Sequence, residues 1–301
     1  MSSDMSSDRR FAPGVYTAIV TPFRDGKVDE KALEELVERQ IQGGVDGIVA
    51  VGTTGESPTL SFEEHIHVIE LVVRFVAGRT RVIAGTGANA TAEAIHLTQA
   101  AEKIGADGLL QVTPYYNKPT QEGLYQHFLT IARSTSLPIM LYNIPSRCGV
   151  EIAVDTIARL AEAAPNIVAL KEAGGKSDRV SQVRAALGDR IRIFSGDDTL
   201  TLPFLACGAE GVVSVASNLI PDLLKQMVSA FLEGRPNEAR QLHERLYPFF
   251  KALFIETNPA PIKAALAMKG WIQEELRLPL VPIRPENREK LRQVMQRCGV
   301  L

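Results

Sequence analysis

One lysine interrupts an otherwise apolar run in Ile167-Val168-Ala169-Leu170-Lys171-Glu172-Ala173-Gly174-Gly175. Pro165-Asn166 precedes the run and two glycines close it, the pattern of a parallel strand covered on both faces. Burial of an ammonium disfavours its charged form and lowers its pKa. At the ordinary lysine value of about 10.4, roughly one side chain in a few thousand is free amine at neutral pH; a value of about 7–8 makes a large fraction nucleophilic. That is the chemistry of an amine that forms a Schiff base with a carbonyl substrate. A lysine at a strand end that snorkels back to solvent has the same local pattern. The strand by itself leaves both readings open.

Residues that could work with such an amine follow other apolar runs. Gly52-Thr53-Thr54-Gly55-Glu56 can offer backbone N–H groups and two hydroxyls to a carboxylate, or be an ordinary turn. Tyr142 can relay protons during carbinolamine and imine formation, or fill core with its hydroxyl satisfied. Arg147, in Tyr142-Asn143-Ile144-Pro145-Ser146-Arg147-Cys148-Gly149, suits a bidentate grip on a carboxylate; a solvated loop arginine reads the same. Thr113 to Pro119 and Ser195 to Asp198 hold equivalent places after two further runs. Gly85-Thr86-Gly87-Ala88-Asn89-Ala90 superficially matches a dinucleotide fingerprint, but no acidic residue stands on a following strand in the expected place. His65 and His67 lie two apart and share no helical face. No His or carboxylate set has ligand spacing, so no metal is expected. Asp197 and Asp198 are expected to cap the helix that begins at Thr199.

The elements that must position these groups repeat one unit: a short apolar strand, a polar or glycine-rich tip, then an amphipathic helix. Eight strands are expected, at 15–21, 47–52, 81–85, 108–113, 138–143, 167–171, 191–195 and 211–215. Their spacing is that of βα units rather than of a solenoid repeat. In the first helix Leu33, Leu36, Val37 and Ile41 share a face while Glu34, Glu35, Glu38 and Arg39 point away. Ser61 and Glu64 form a capping box for the second. Gly105-Ala-Asp-Gly108 and Gly208-Ala-Glu-Gly211 are matching helix-to-strand turns. The pattern predicts a closed (β/α)8 TIM barrel, α/β in class, in which the strand tips converge at one end. An eighth helix from about Pro221 to Glu233 breaks at Gly234-Arg235-Pro236-Asn237. Three helices follow, at 237–254, 261–270 and 286–298. The expected division is a disordered tail over 1–10, a catalytic barrel over 11–234 and a small C-terminal helical domain over 235–301.

Composition bounds the function classes. The chain has 301 residues, is 45% hydrophobic and 23% charged, and carries a net charge of −2 from 33 basic and 35 acidic residues mixed along its length. No basic patch argues for nucleic acid or a membrane surface, and no apolar run reaches the ~18–20 residues that span a bilayer. Cys148, Cys207 and Cys298 are odd in number and far apart, which suits a reducing cytosol. A cytoplasmic location is expected.

The ordered set Gly-Thr-Thr-Gly-Glu (52–56), Tyr-Tyr-Asn-Lys-Pro (115–119), Tyr-Asn-Ile-Pro-Ser-Arg (142–147), Lys-Glu-Ala (171–173) and Ser-Gly-Asp-Asp (195–198) resembles the dihydrodipicolinate synthase branch of the pyruvate-dependent class I aldolase superfamily. The resemblance runs from about Phe11 to the C-terminus and includes Asn258-Pro-Ala-Pro-Ile-Lys263. Single motifs are shared with relatives such as N-acetylneuraminate lyase; Arg147 is what most favours the synthase branch. The resemblance implies a lyase that condenses pyruvate with L-aspartate-4-semialdehyde, with cyclisation and water loss, in the diaminopimelate route of lysine biosynthesis. It implies no cofactor beyond a covalent imine through Lys171. Tyr142 is then the proton donor and acceptor, with Thr53 and Tyr116 completing a hydroxyl relay. Tyr116 would enter a neighbouring subunit, implying a homo-oligomer, a tetramer built as a dimer of dimers. Thr54, Val213 and Gly196 would meet pyruvate, and Arg147 the carboxylate of the semialdehyde.

A feedback site for lysine would fall on Ser57, Pro58, Phe62, His65, Asn89, Glu93 and Tyr115. Phe62 stands where lysine-sensitive members commonly carry a polar ligand, which points to weak or absent inhibition. Cys148 stands where many members have threonine and reads as a buried small thiol. Two other readings compete: a sibling aldolase or dehydratase acting on a sugar acid or another 2-keto acid, and a silent barrel that only binds a small acid or a partner.

Overall fold

A computed structural model describes residues 11–301; the tail expected over 1–10 lies outside the described residues. Among the described residues ten strands occur in chain order: β1 Gly14–Ala18, β2 Phe23–Arg24, β3 Lys27–Val28, β4 Gly47–Ala50, β5 Arg81–Gly85, β6 Gly108–Val112, β7 Ile139–Asn143, β8 Ile167–Glu172, β9 Arg192–Ser195 and β10 Gly211–Ser214. Eight of them close a barrel in the order β1, β10, β9, β8, β7, β6, β5, β4, every pair parallel. These eight are the strands the apolar runs foretold, with ends shifted by a few residues at most. The short antiparallel pair β2–β3 was not foreseen; two residues per strand are too few to leave a periodic pattern.

The helices on the barrel wall are α1 Glu30–Gln42, α2 Phe62–Val76, α3 Thr91–Ile104, α4 Gln121–Arg133, α5 Pro145–Cys148, α6 Val154–Ala163, α7 Asp178–Leu187, α8 Thr201–Ala206 and α9 Pro221–Leu232. In α1, Leu33, Leu36 and Val37 are buried against the strands. The Ser61–Glu64 capping box is formed at the start of α2. After Leu232 come α10 Pro236–Ala252, α11 Ala260–Met268 and α12 Pro285–Cys298, which pack on one another and on α8 and α9.

Two apolar layers follow from the alternation of strand side chains. The outer layer joins strands to helices and includes Ile48, Leu109, Leu141 and Leu170. The inner layer fills the barrel with Phe11, Tyr16, Val49, Ile83, Leu110, Met140, Tyr142, Phe194 and Val213. Tyr16 stands edge-on to both Phe11 and Phe194. Gly47 and Gly108 make room for these rings: a Cβ at either would come within 2.5 Å of Tyr16 or Phe11 respectively. The floor of the barrel is therefore plugged, and the opening lies at the carboxyl ends of the strands.

Candidate active site

Lys171 is the next-to-last residue of β8, paired in register with Tyr142 on β7 and Phe194 on β9. Its inward position among apolar neighbours leaves it 5% exposed. The ammonium nitrogen lies 4.0 Å from the centre of the Tyr142 ring. Burial pushes the lysine down to about 7; the charge of Asp198 works against that shift and Arg147 with it. The snorkelling alternative does not hold.

Tyr142 is buried at the end of β7, and burial drives its phenol up to about 12, with a hydrogen bond to Thr53 and the charge of Arg147 pulling the other way. A tyrosine so shifted keeps its proton at neutral pH and can donate it. Tyr142 and Thr53 line a cavity of about 240 Å³ together with Val51, Leu110, Ile144, Arg147 and Cys148. Burial also raises the Cys148 thiol, to about 11, which makes it a poor nucleophile and fits the small-thiol reading.

The loop after β4 that carries Thr53 and Thr54 holds two residues with left-handed backbone, Val51 at φ 49 and Glu56 at φ 55. A β-branched residue rarely adopts that conformation, so surrounding contacts must hold it there. Thr54 is buried, and its Oγ1 accepts a hydrogen bond of 3.1 Å from Asn258 Nδ2. Arg147, on the short α5, donates from Nη2 to the main-chain oxygen of Asn258 at 3.1 Å and lines the cavity. Val213 belongs to the inner apolar layer. Gly196 lies against Lys171: a Cβ there would approach the lysine Cε at 3.1 Å and the Ala173 Cβ at 2.7 Å.

Tyr116 is not brought to this cavity. It is 91% exposed, in the left-handed region at φ 73, with Lys118 beside it at φ 44. Tyr115, Ser57 and Pro58 do line the cavity. Behind them His65 is buried; its Nε2 meets the Gly85 carbonyl at 2.8 Å and its Nδ1 lies 3.4 Å from Ser57 Oγ, while burial lowers its pKa. Asn89 accepts a bond from Asn117 through its main-chain oxygen, and Glu93 is exposed near Tyr115. Phe62 is 45% exposed and faces His96 edge-on.

The pair Asp197 and Asp198 divides. Asp197 caps as expected, accepting from the Thr199 N–H. Asp198 does not: it is buried and accepts from the Ser214 hydroxyl and the Val215 and Ala216 N–H groups, tying the end of β9 to the end of β10. Burial raises its pKa to about 6. Sequence reasoning also assigned no role to Glu56 and Lys263, which form a wholly buried ion pair, or to Asn258. Their partners lie about two hundred positions away, beyond any local pattern.

A profile of the Dihydrodipicolinate synthetase family matches residues 12–298. The 4-hydroxy-tetrahydrodipicolinate synthase of Aquifex aeolicus (strain VF5) is 53% identical over 287 residues, 95% of this chain and 98% of its own. The structure of the 4-hydroxy-tetrahydrodipicolinate synthase from the thermoacidophilic methanotroph Methylacidiphilum fumariolicum SolV has a TM-score of 0.95 and 62% identity, covering 95% of this chain and 96% of that one. The chloride-inhibited dihydrodipicolinate synthase from Acinetobacter baumannii, solved with pyruvate, has a TM-score of 0.94 and 46% identity over 97% of this chain and 100% of that one. Matched over residues 12–298 in sequence and over at least 95% of its length in fold, the chain belongs to the dihydrodipicolinate synthetase family.

Proposed function

We propose that this enzyme condenses pyruvate with L-aspartate-4-semialdehyde to 4-hydroxy-2,3,4,5-tetrahydrodipicolinate, in lysine biosynthesis, through an imine on Lys171. The observation that carries the reading is a buried amine at the barrel mouth, shifted to about 7 and free of any ion pair among the described residues. Its nitrogen attacks the keto carbon of pyruvate. Tyr142, with Thr53 beside it, hands a proton to the carbinolamine oxygen, which leaves as water. Loss of a methyl proton gives an enamine whose terminal carbon adds to the aldehyde of the second substrate. The amino group of that substrate then adds to the imine carbon, closing the ring and returning Lys171 as a free amine; one water is lost overall.

Both substrates carry a carboxylate, and the roles divide accordingly. Thr54 takes the pyruvate carboxylate, Val213 and Gly196 bound the space around the imine, and Arg147 takes the carboxylate of the semialdehyde. That last role favours the synthase over a sibling aldolase acting on sugar acids. The pyruvate held by the Acinetobacter baumannii relative supports a keto acid as first substrate. Tyr116, a large ring almost wholly in water on a strained backbone, is proposed to enter the site of a neighbouring copy in a homo-oligomer, a dimer of dimers. Among the described residues no helix is long and apolar enough to cross a membrane; we place the enzyme in the cytoplasm.

Borohydride in the presence of pyruvate tests the reading. A pyruvyl increment on Lys171, absent in Lys171→Ala, is the expected result in mass spectrometry; an unmodified Lys171 would leave a barrel that only binds. For Tyr116, mixing inactive Lys171→Ala with slowed Tyr116→Phe should regain activity as subunits exchange. No regain would remove the tyrosine from its neighbour's relay.

A further inference from the structure

Two contacts join the loop after β4 to the segment that opens α11. Asn258 Nδ2 donates to Thr54 Oγ1, and Lys263 Nζ binds the carboxylate of Glu56, two residues beyond Thr54. Lys263 also donates to the Glu275 carbonyl at 2.9 Å and lies 4.2 Å from the centre of the Phe23 ring. Asn258 is thus carried on a segment anchored to the very loop it touches.

The direction of the first bond matters. A hydroxyl that accepts from an amide has its own proton left to give. Among the described residues Thr54 Oγ1 accepts from Asn258 and donates to none. Asn258 itself is buried, yet its Oδ1 has no hydrogen-bond partner among the described residues. A buried acceptor left unpaired calls for an explanation, and this one belongs to the side chain that holds Thr54.

We propose that Asn258 is a positioning residue for the first substrate: by occupying the acceptor site of Thr54, it commits the threonine proton to the carboxylate of a 2-keto acid. The proposal rests on the role given to Thr54 above. The main-chain oxygen of Asn258 meanwhile orients Arg147, so the side chain and the backbone of one residue serve different substrates.

That division supplies the test. Asn258→Ala should raise the KM for pyruvate about fivefold, the value of one ordinary hydrogen bond, with kcat and the KM for the semialdehyde unchanged. Asn258→Asp keeps the size but reverses the bond, drawing the Thr54 proton to itself, and should raise the pyruvate KM further. In a Thr54→Val background both effects should vanish. Effects that persist with Thr54→Val, a parallel rise in both KM values, or an unchanged pyruvate KM would each overturn the proposal. Should Asn258→Ala fail to fold, the isosteric Asn258→Asp decides by the same cycle. A wild-type protein that forms no borohydride adduct refutes the underlying reading; an adduct with indifferent Asn258 variants refutes the positioning role alone.

Discussion

Two lysines are buried at the mouth of this barrel, and they have been put to opposite uses. Lys171 stands one residue before the end of β8, among the inner apolar layer; Lys263 lies in α11 and is wholly enclosed. Burial lowers both, to about 7 and about 8. Lys263 has the Glu56 carboxylate, a main-chain oxygen and an aromatic face around it. Lys171 has the Tyr142 ring and, further off, Asp198, whose carboxylate is committed to Ser214, Val215 and Ala216. Desolvation alone therefore does not make a lysine a nucleophile. What distinguishes Lys171 is desolvation without a paired anion, against a tyrosine that lines the cavity.

Replacing each lysine by methionine tests that contrast hardest. Lys171→Met should lower kcat by at least about 10⁴-fold, as for removal of a covalent nucleophile, while making the fold more resistant to urea. The folded value near 7 lies below the ordinary 10.5 of the unfolded chain. Between those values the unfolded chain binds the extra proton, so stability rises with pH across that window and the native lysine costs most below pH 7. The gain from Lys171→Met should accordingly be larger at pH 6.5 than at pH 9. Lys263→Met should do the reverse, losing about 3–5 kcal/mol because a buried carboxylate is left alone. Equal destabilisation by the two changes would erase the distinction.

A smaller effect sharpens it. The rate of borohydride trapping with pyruvate should climb about tenfold per pH unit below pH 7 and level off above, because the amine must shed its proton before it attacks. Tyr142, near 12, keeps its proton throughout that range. A limb that instead tracked a value near 10 would mean that Lys171 behaves as an exposed lysine.

Much of this was legible in the chain. The eight barrel strands are continuous apolar runs closed by turn residues, and a lysine in one of them is conspicuous because burial of charge is costly. Tyr142 and Thr53 could be picked out because each stands at a strand tip, where the barrel converges, but the relay role of Thr53 comes from the family motif. The rest was hidden by distance along the chain. Thr54 and Asn258 are 204 residues apart and Glu56 and Lys263 are 207 apart, and no periodicity of 2 or 3.6 reports such pairs. Asp198 misled for a related reason: an Asp-Asp pair before a helix reads as capping, whereas its actual partners lie at the last residue of β10 and just beyond it. Tyr116 is identified by motif alone; within a single chain its side chain is 91% exposed.

The bonds from Asn258 to Thr54 and from Lys263 to Glu56 have a consequence for the order of synthesis. Chains are made from the amino terminus, and domains begin to fold as they emerge. All eight barrel strands, and with them the reactive amine, leave the ribosome before Asn258 does. A nascent chain can thus close its cylinder early, but the loop bearing the two threonines lacks these last two ties until translation is almost done.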